Sequence, residues 1–153
     1  MDVIEMLREM HVEAKSAFQK LEQASPNERG GLWGKLRPEL VLHEQMEERF
    51  VYDPVTKDAG SDPVLSGWHE QHHQQVGEAE HMMEQIGQQD PKSDQFLQMA
   101  SQLRTALEQH IQREEGDIWP RIRQVWGADK LDRAGQQVQQ AKTAGSIDRA
   151  QAA

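Results

Sequence analysis

Two short stretches of this sequence carry the same residue types in the same order: His43-Glu44-Gln45-Met46-Glu47-Glu48 followed by Val51-Tyr52, and His110-Ile111-Gln112-Arg113-Glu114-Glu115 followed by Ile118-Trp119. In each, a histidine precedes a glutamate by four positions. On a helix that spacing stacks imidazole and carboxylate one turn apart on one face, where both can converge on a single object. The other members of each face are apolar, Leu36, Leu40 and Phe50 around the first pair and Leu103, Leu107 and Ile118 around the second. A carboxylate buried there without a partner costs on the order of several kcal/mol. No lysine or arginine stands near these levels of the seams, so a bound cation is the simplest compensation.

Histidines recur in the two remaining helical patterns, as His11 in the first and as His69-Glu70-Gln71-His72-His73 in the third. A single seam histidine is more often a hydrogen-bonded core residue than a ligand, and an isolated His–Glu pair is usually a surface ion pair worth little. Their joint occurrence in four seams, twice with a glutamate one turn on, argues for metal. The chain has no cysteine, which excludes disulfides, iron–sulfur clusters, thiolate zinc and cysteine nucleophiles. Nitrogen and oxygen must then hold the ion, a donor set that suits iron, manganese or zinc.

The elements that must position these groups are helices. The first reads Ile4, Leu7, His11, Ala14, Phe18, Leu21 in steps of three and four, and is expected to end near Ser25-Pro26-Asn27, ahead of Gly30-Gly31. The second runs through Leu36, Leu40, His43, Glu47 and Phe50 and stops before Pro54, and Asp53 to Pro63 reads as a loop. The third carries Leu65, His69, His72 or His73, Val76, Ala79, Met83 and Ile86 and ends between Gly87 and Pro91; the fourth carries Phe96, Ala100, Leu103, Leu107, His110, Glu114 and Ile118. Four helices of about 20 residues with loops of about 6 to 14 predict an all-α fold, an antiparallel up-down four-helix bundle. Pro120 should kink or end the last of them, and Leu131, Ala134 and Val138 predict a short additional C-terminal helix. The expected division is a bundle over residues 1–126, the amphipathic helix over 127–144 and a frayed tail over 145–153.

Length and charge bound the rest. The 153 residues suffice for one bundle-type core, and the net charge of −9, with both signs interspersed, offers no basic stripe for phosphates. Nucleic acid and acidic membranes are therefore not expected partners. No run approaches the ~20 apolar residues of a membrane span, and the acidic start Met1-Asp2-Val3-Ile4-Glu5 is unlike a signal peptide. A cytoplasmic protein, monomeric or weakly dimeric, is expected.

With a lone His, a His-x-x-x-Glu, a lone His and a second His-x-x-x-Glu in order, the sequence resembles the hemerythrin-like family, also called the HHE cation-binding domain, over about residues 1–125. The resemblance implies His11, His43 with Glu47, His73, and His110 with Glu114 as ligands of two iron ions joined by an oxo or hydroxo bridge. His69 would be added if the third helix used the His-x-x-x-His of oxygen-carrying hemerythrins; His72 is the outsider and His81 reads as solvated. Tyr52, the only tyrosine, lies just beyond Glu47 and could ligate through its phenolate, although an ideal helix would turn it away from the face of Glu47. Glu48 and Glu115 read as carboxylates beside the site rather than in it.

Four histidines, two bridging glutamates and an oxo bridge would fill about ten of the roughly twelve positions of two octahedral irons. The remainder leaves room for a small ligand: dioxygen, hydrogen peroxide or nitric oxide. Without a fifth histidine the balance moves toward peroxidase- or catalase-like redox activity; with it, toward a dioxygen carrier. An iron or redox sensor, in which metal loading alters the bundle and a partner contact, and a metal-free helical interaction module are the non-enzymatic alternatives.

Overall fold

The computed structural model describes residues 1–147, and every regular element among them is helical. Helix α1 spans Val3–Gln23 and begins at Asp2, whose carboxylate accepts from the Glu5 N–H. Helix α2 spans Pro26–Glu47, α3 Asp53–Ala59, α4 Pro63–Gly87, α5 Asp94–Arg113, α6 Trp119–Val125 and α7 Ala128–Ala144. Ser93 caps α5 by accepting from the Phe96 N–H, and Asp62 caps α4 by accepting from those of Val64 and Leu65. The bundle is hemerythrin-like, with α7 as the additional C-terminal helix, laid across α1 through Leu131, Ala134, Val138 and Ala141.

Helix ends differ from expectation at two places, each for a local reason. The first connection is only Ala24 and Ser25, because Pro26 takes the first-turn position that proline prefers and starts α2 there. Gly30 and Gly31 consequently lie inside a helix instead of a loop. Residues 53–59, expected as loop, continue the second helix as α3; Pro54 again stands at a helix start, and the chain turns only at Gly60, whose φ of 57° suits glycine. The expected tail over 145–153 falls partly outside the described residues.

Neither long helix is α-helical throughout. Between α2 and α3, Glu48–Tyr52 is one turn of π-helix, and between α5 and α6, Glu114–Ile118 is another. The closing bonds run five residues back, from Asp53 N–H to Glu48 O and from Trp119 N–H to Glu114 O. A proline follows each turn, Pro54 and Pro120. Proline brings no N–H, and its ring crowds the carbonyl four residues earlier, so widening the preceding turn accommodates it.

The apolar side chains form two separate clusters. One gathers Ile4, Leu7, Met46, Val51, Trp68, Ile118, Trp119, Ile122 and Val138. The other holds Phe18, Leu21, Trp33, Leu36, Met83, Ile86, Phe96 and Leu103. Between them runs a belt of buried polar residues, His11, Glu44, Glu47, His72 and Glu114.

Candidate metal centre

α1 contributes His11, α2 His43 and Glu47, α4 His72, α5 His110, and the second π turn Glu114. His43 Nε2 lies 3.1 Å from Glu47 Oε1 and His110 Nε2 3.2 Å from Glu114 Oε1, so each pair meets along its own helix. The lone histidines cross between helices: His72 Nε2 is 3.7 Å from Glu47 Oε1, and His11 Nε2 3.4 Å from Glu114 Oε1. The donor atoms group into two overlapping sets, one of Glu47, His72, His110 and Glu114 and one of His11, His43 and Glu47. Glu47 belongs to both.

Electrostatics tie these groups to one another. Burial alone would lower the histidine pKa values, but the adjacent charge of Glu114, with help from Glu47 and Glu44, raises His110 to about 9. His11 is raised by Glu114 and His72 by Glu47, again against burial. Glu47 is held well below the usual carboxylate range despite burial, chiefly by His43. Glu44, adjacent to this group, is pushed well up by burial.

The sequence expectations for the third helix are corrected here. His72 is fully buried in the cluster, whereas the His73 side chain is 81% exposed and reaches only the Glu48 carboxylate at 3.4 Å. His69 turns outward too, with its Nε2 2.5 Å from Asp53 Oδ1. At 100° per residue, Leu65, Trp68, Ala79 and Met83 all lie within roughly 40° of His72 on the helix circumference, and His73 is about 100° further round. Trp68 is the signal that selects His72: it is buried and marks the seam, while Val76, in step with His73, is only half-buried.

Tyr52 is brought into the cluster by the π turn, the distortion that an ideal helix would have lacked. Its hydroxyl donates to Glu114 Oε2, lies 3.3 Å from Glu47 Oε2, and accepts the indole N–H of Trp119 at 3.0 Å. Burial and the two carboxylates push its pKa well above 10.0. Trp119 also stacks on His11, rings 4.9 Å apart and 11° from parallel.

Behind the inward-facing nitrogens lies a second row. Glu48 Oε1 is 3.2 Å from His72 Nδ1, Glu115 Oε1 is 3.6 Å from His11 Nδ1, and Gln75 Oε1 is 2.7 Å from His110 Nδ1. The Glu48 and Gln75 contacts fix the tautomers of His72 and His110 and aim their other ring nitrogens, whereas Glu115 stays beyond hydrogen-bond distance of His11. Glu48 and Glu115 are the same position of the repeated pattern, each supporting the lone histidine of a different helix.

The donors fit a cation. Among the described residues, the Nε2 atoms of His43, His72 and His110 and the Oε1 atoms of Glu47 and Glu114 are buried without a hydrogen-bond partner. Buried polar atoms seldom go unpaired, and here all five are aimed at one another. The set is nitrogen and oxygen only, the chemistry of first-row metals.

The hemerythrin HHE cation binding domain family matches residues 2–122, and the chain belongs to that family. It is a metal-binding hemerythrin-like protein. A solved hemerythrin HHE cation binding domain-containing protein from Mycobacterium kansasii shares the fold at a TM-score of 0.76 and 23% identity, over 95% of this chain and 87% of that one. A Nostoc protein (strain PCC 7120) described as a DNA nickase is 22% identical over 144 residues, 94% of this chain and 40% of that protein. The chain thus spans well under half of that relative's length.

Proposed function

We propose that the centre holds two iron ions and that the protein binds or reduces a small oxidant or diatomic, with hydrogen peroxide reduction of the peroxidase or catalase type ahead of dioxygen or nitric oxide binding. The observation that carries this is the pair of donor sets sharing Glu47, with unpaired nitrogen and oxygen atoms facing one another among buried residues. In this reading His72, His110 and Glu114 hold one ion, His11 and His43 the other, and Glu47 spans both. Two such ions, when bound, supply redox electrons and open positions for a small ligand.

The other residues orient and protonate. Glu48 fixes the ring of His72 from behind, and the charge of Glu115 lies 3.6 Å from the back of His11. Tyr52 keeps a proton on its hydroxyl, shared toward Glu114 and anchored by Trp119, and surrenders it if the phenolate itself ligates. Placement of His69 with Asp53 leaves the five-histidine carrier arrangement unassembled, which supports redox reactivity over reversible carriage. The reading gives the protein small-molecule partners, no nucleic-acid role, a cytoplasmic setting and a monomeric or weakly dimeric state.

Metal analysis of aerobically purified protein with its visible spectrum tests it. About two irons per chain, with near-ultraviolet bands that change on adding peroxide or nitric oxide, are the expected result. Zinc, a single ion, or spectra indifferent to dioxygen, peroxide and nitric oxide alike would overturn it.

A further inference from the structure

A cleft of about 380 Å³ lies between α1, α2 and α5, beside the end of α7, and is lined in part by His11, His43, Glu44 and Glu47. That is far more room than a two-heavy-atom oxidant needs; at ~30 Å³ per water it would take the equivalent of about a dozen. Its walls are apolar, with Ala14 and Phe18 from α1, Leu36 and Leu40 from α2, and Leu107 from α5. Concave, mostly apolar space with a few convergent polar groups is what a small organic ligand occupies. The rim carries both signs, Lys15 and Arg104 against Glu39 and Glu108, and so favours no strongly charged head.

A second observation points into the same space. Glu44 is 96% buried, one residue from His43, yet its Oε2 has no hydrogen-bond partner among the described residues. It does not belong to either donor set. Glu44 lines this cleft, where a ligand's polar end can meet it, and also a second cavity of about 390 Å³ against α4 and α5.

We propose that this cleft binds an organic hydroperoxide, its apolar body along Phe18, Leu40 and Leu107 and its hydroperoxyl group hydrogen-bonded to Glu44 beside the metal centre. The inference rests on the peroxide chemistry proposed above and names its substrate class. Turnover is a two-electron reduction: the O–O bond breaks, two protons and two electrons are taken up, and the alcohol and water leave. A dithiol reductant, oxidised to its disulfide, supplies the electrons and the protons.

Binding can be read apart from turnover with straight-chain primary alcohols, the unreactive products of such substrates, titrated calorimetrically into the metal-free and the iron-loaded full chain. The dissociation constant should tighten by up to about fourfold per methylene, the equivalent of ~0.8 kcal/mol. Ala14→Phe, which fills the cleft, should abolish the length dependence, and Glu44→Leu should weaken every alcohol severalfold while keeping it. A constant independent of chain length, or a length dependence untouched by Ala14→Phe, overturns the proposal. In the iron-loaded protein, kcat/KM for alkyl hydroperoxides should rise with chain length above that for hydrogen peroxide. Hydrogen peroxide turnover with no such rise overturns the substrate class and leaves the metal reading standing; alcohol binding to a chain that loads no iron does the reverse.

Discussion

The two His-x-x-x-Glu helices are built alike and finish differently. Each places histidine and glutamate one turn apart, opens into a π turn, and resumes as a short helix beginning at or beside a proline. In the first, the aromatic residue closing the turn is Tyr52, whose hydroxyl enters the cluster and touches both glutamates. In the second it is Trp119, which donates to Tyr52 and stacks on His11 without meeting either carboxylate through its N–H. A repeated backbone device therefore yields one residue able to exchange a proton at the centre and one that holds it in place. What the repeat sets is the geometry; the side chain at its end sets the chemistry.

The largest effect should come from breaking the shared member. On the proposed two-ion reading, Glu47→Gln should strip both ions, since Glu47 stands in both donor sets, whereas Glu114→Gln should spare part of the loading; metal content per chain separates the two. Retention of both ions in Glu47→Gln would show that the sets are independent.

Next is the pH response of the metal-free protein, whose alkaline limb comes from His11, His72 and His110 and whose acid limb comes from Glu47. His110 is raised from 6.5 to about 9, so its stabilisation is fully present below 6.5 and is lost as pH climbs through about 9. That shift corresponds to at most about 3 kcal/mol. Glu47 is lowered, so its contribution is present above the ordinary carboxylate range and is lost as pH falls through its depressed value. Urea unfolding across pH should show both limbs, and His110→Gln should reduce the alkaline one while leaving the acid one in place.

The closing aromatics come third. Tyr52→Phe leaves the Trp119 N–H and Glu114 Oε2 without their buried partner and should cost about 1–3 kcal/mol. It should also alter the visible spectrum of the loaded protein. Trp119→Phe should cost a similar amount with a much smaller spectral change, and equal spectral changes would erase the distinction between them. Of the supporting glutamates, Glu48→Gln should weaken metal binding by about tenfold. Glu115→Gln should do less, its contact being longer at 3.6 Å against 3.2 Å. Smallest is Pro54→Ala, which restores an N–H and relaxes the first π turn. Thermal stability should move by less than about 1 kcal/mol, while the spectrum should move in the direction of Tyr52→Phe; Pro120→Ala should leave it unchanged.

Much of this arrangement was legible in the sequence because helical phase is a simple ruler. His11, His43, Glu47, His110 and Glu114 each fall in step with several apolar neighbours, and the structure brings them together. The third helix defeated that ruler at short range, since His69, His72 and His73 fall within an arc of roughly 100° and a few neighbours alone do not separate them. Only the full seam through Leu65, Trp68, Ala79 and Met83 selects His72. The π turns leave no propensity signal, because one extra residue in a turn changes no residue type; the prolines after Tyr52 and Trp119 are their sole trace. Asp53-Pro54 and Gly30-Gly31 misled for a related reason. Residues that end helices in isolation are tolerated where a proline starts one or where the neighbouring turns are already packed.

The polar belt between the two apolar clusters has a consequence for how the molecule holds together. Each cluster can bury its own side chains, and the level where they adjoin is filled by imidazoles and carboxylates that repel or attract one another according to pH. Without a cation this level should act as a joint, and the two ends of the bundle should exchange their amide hydrogens at separate rates. With ions seated there, four helices are riveted at one level, and exchange at both ends should slow together.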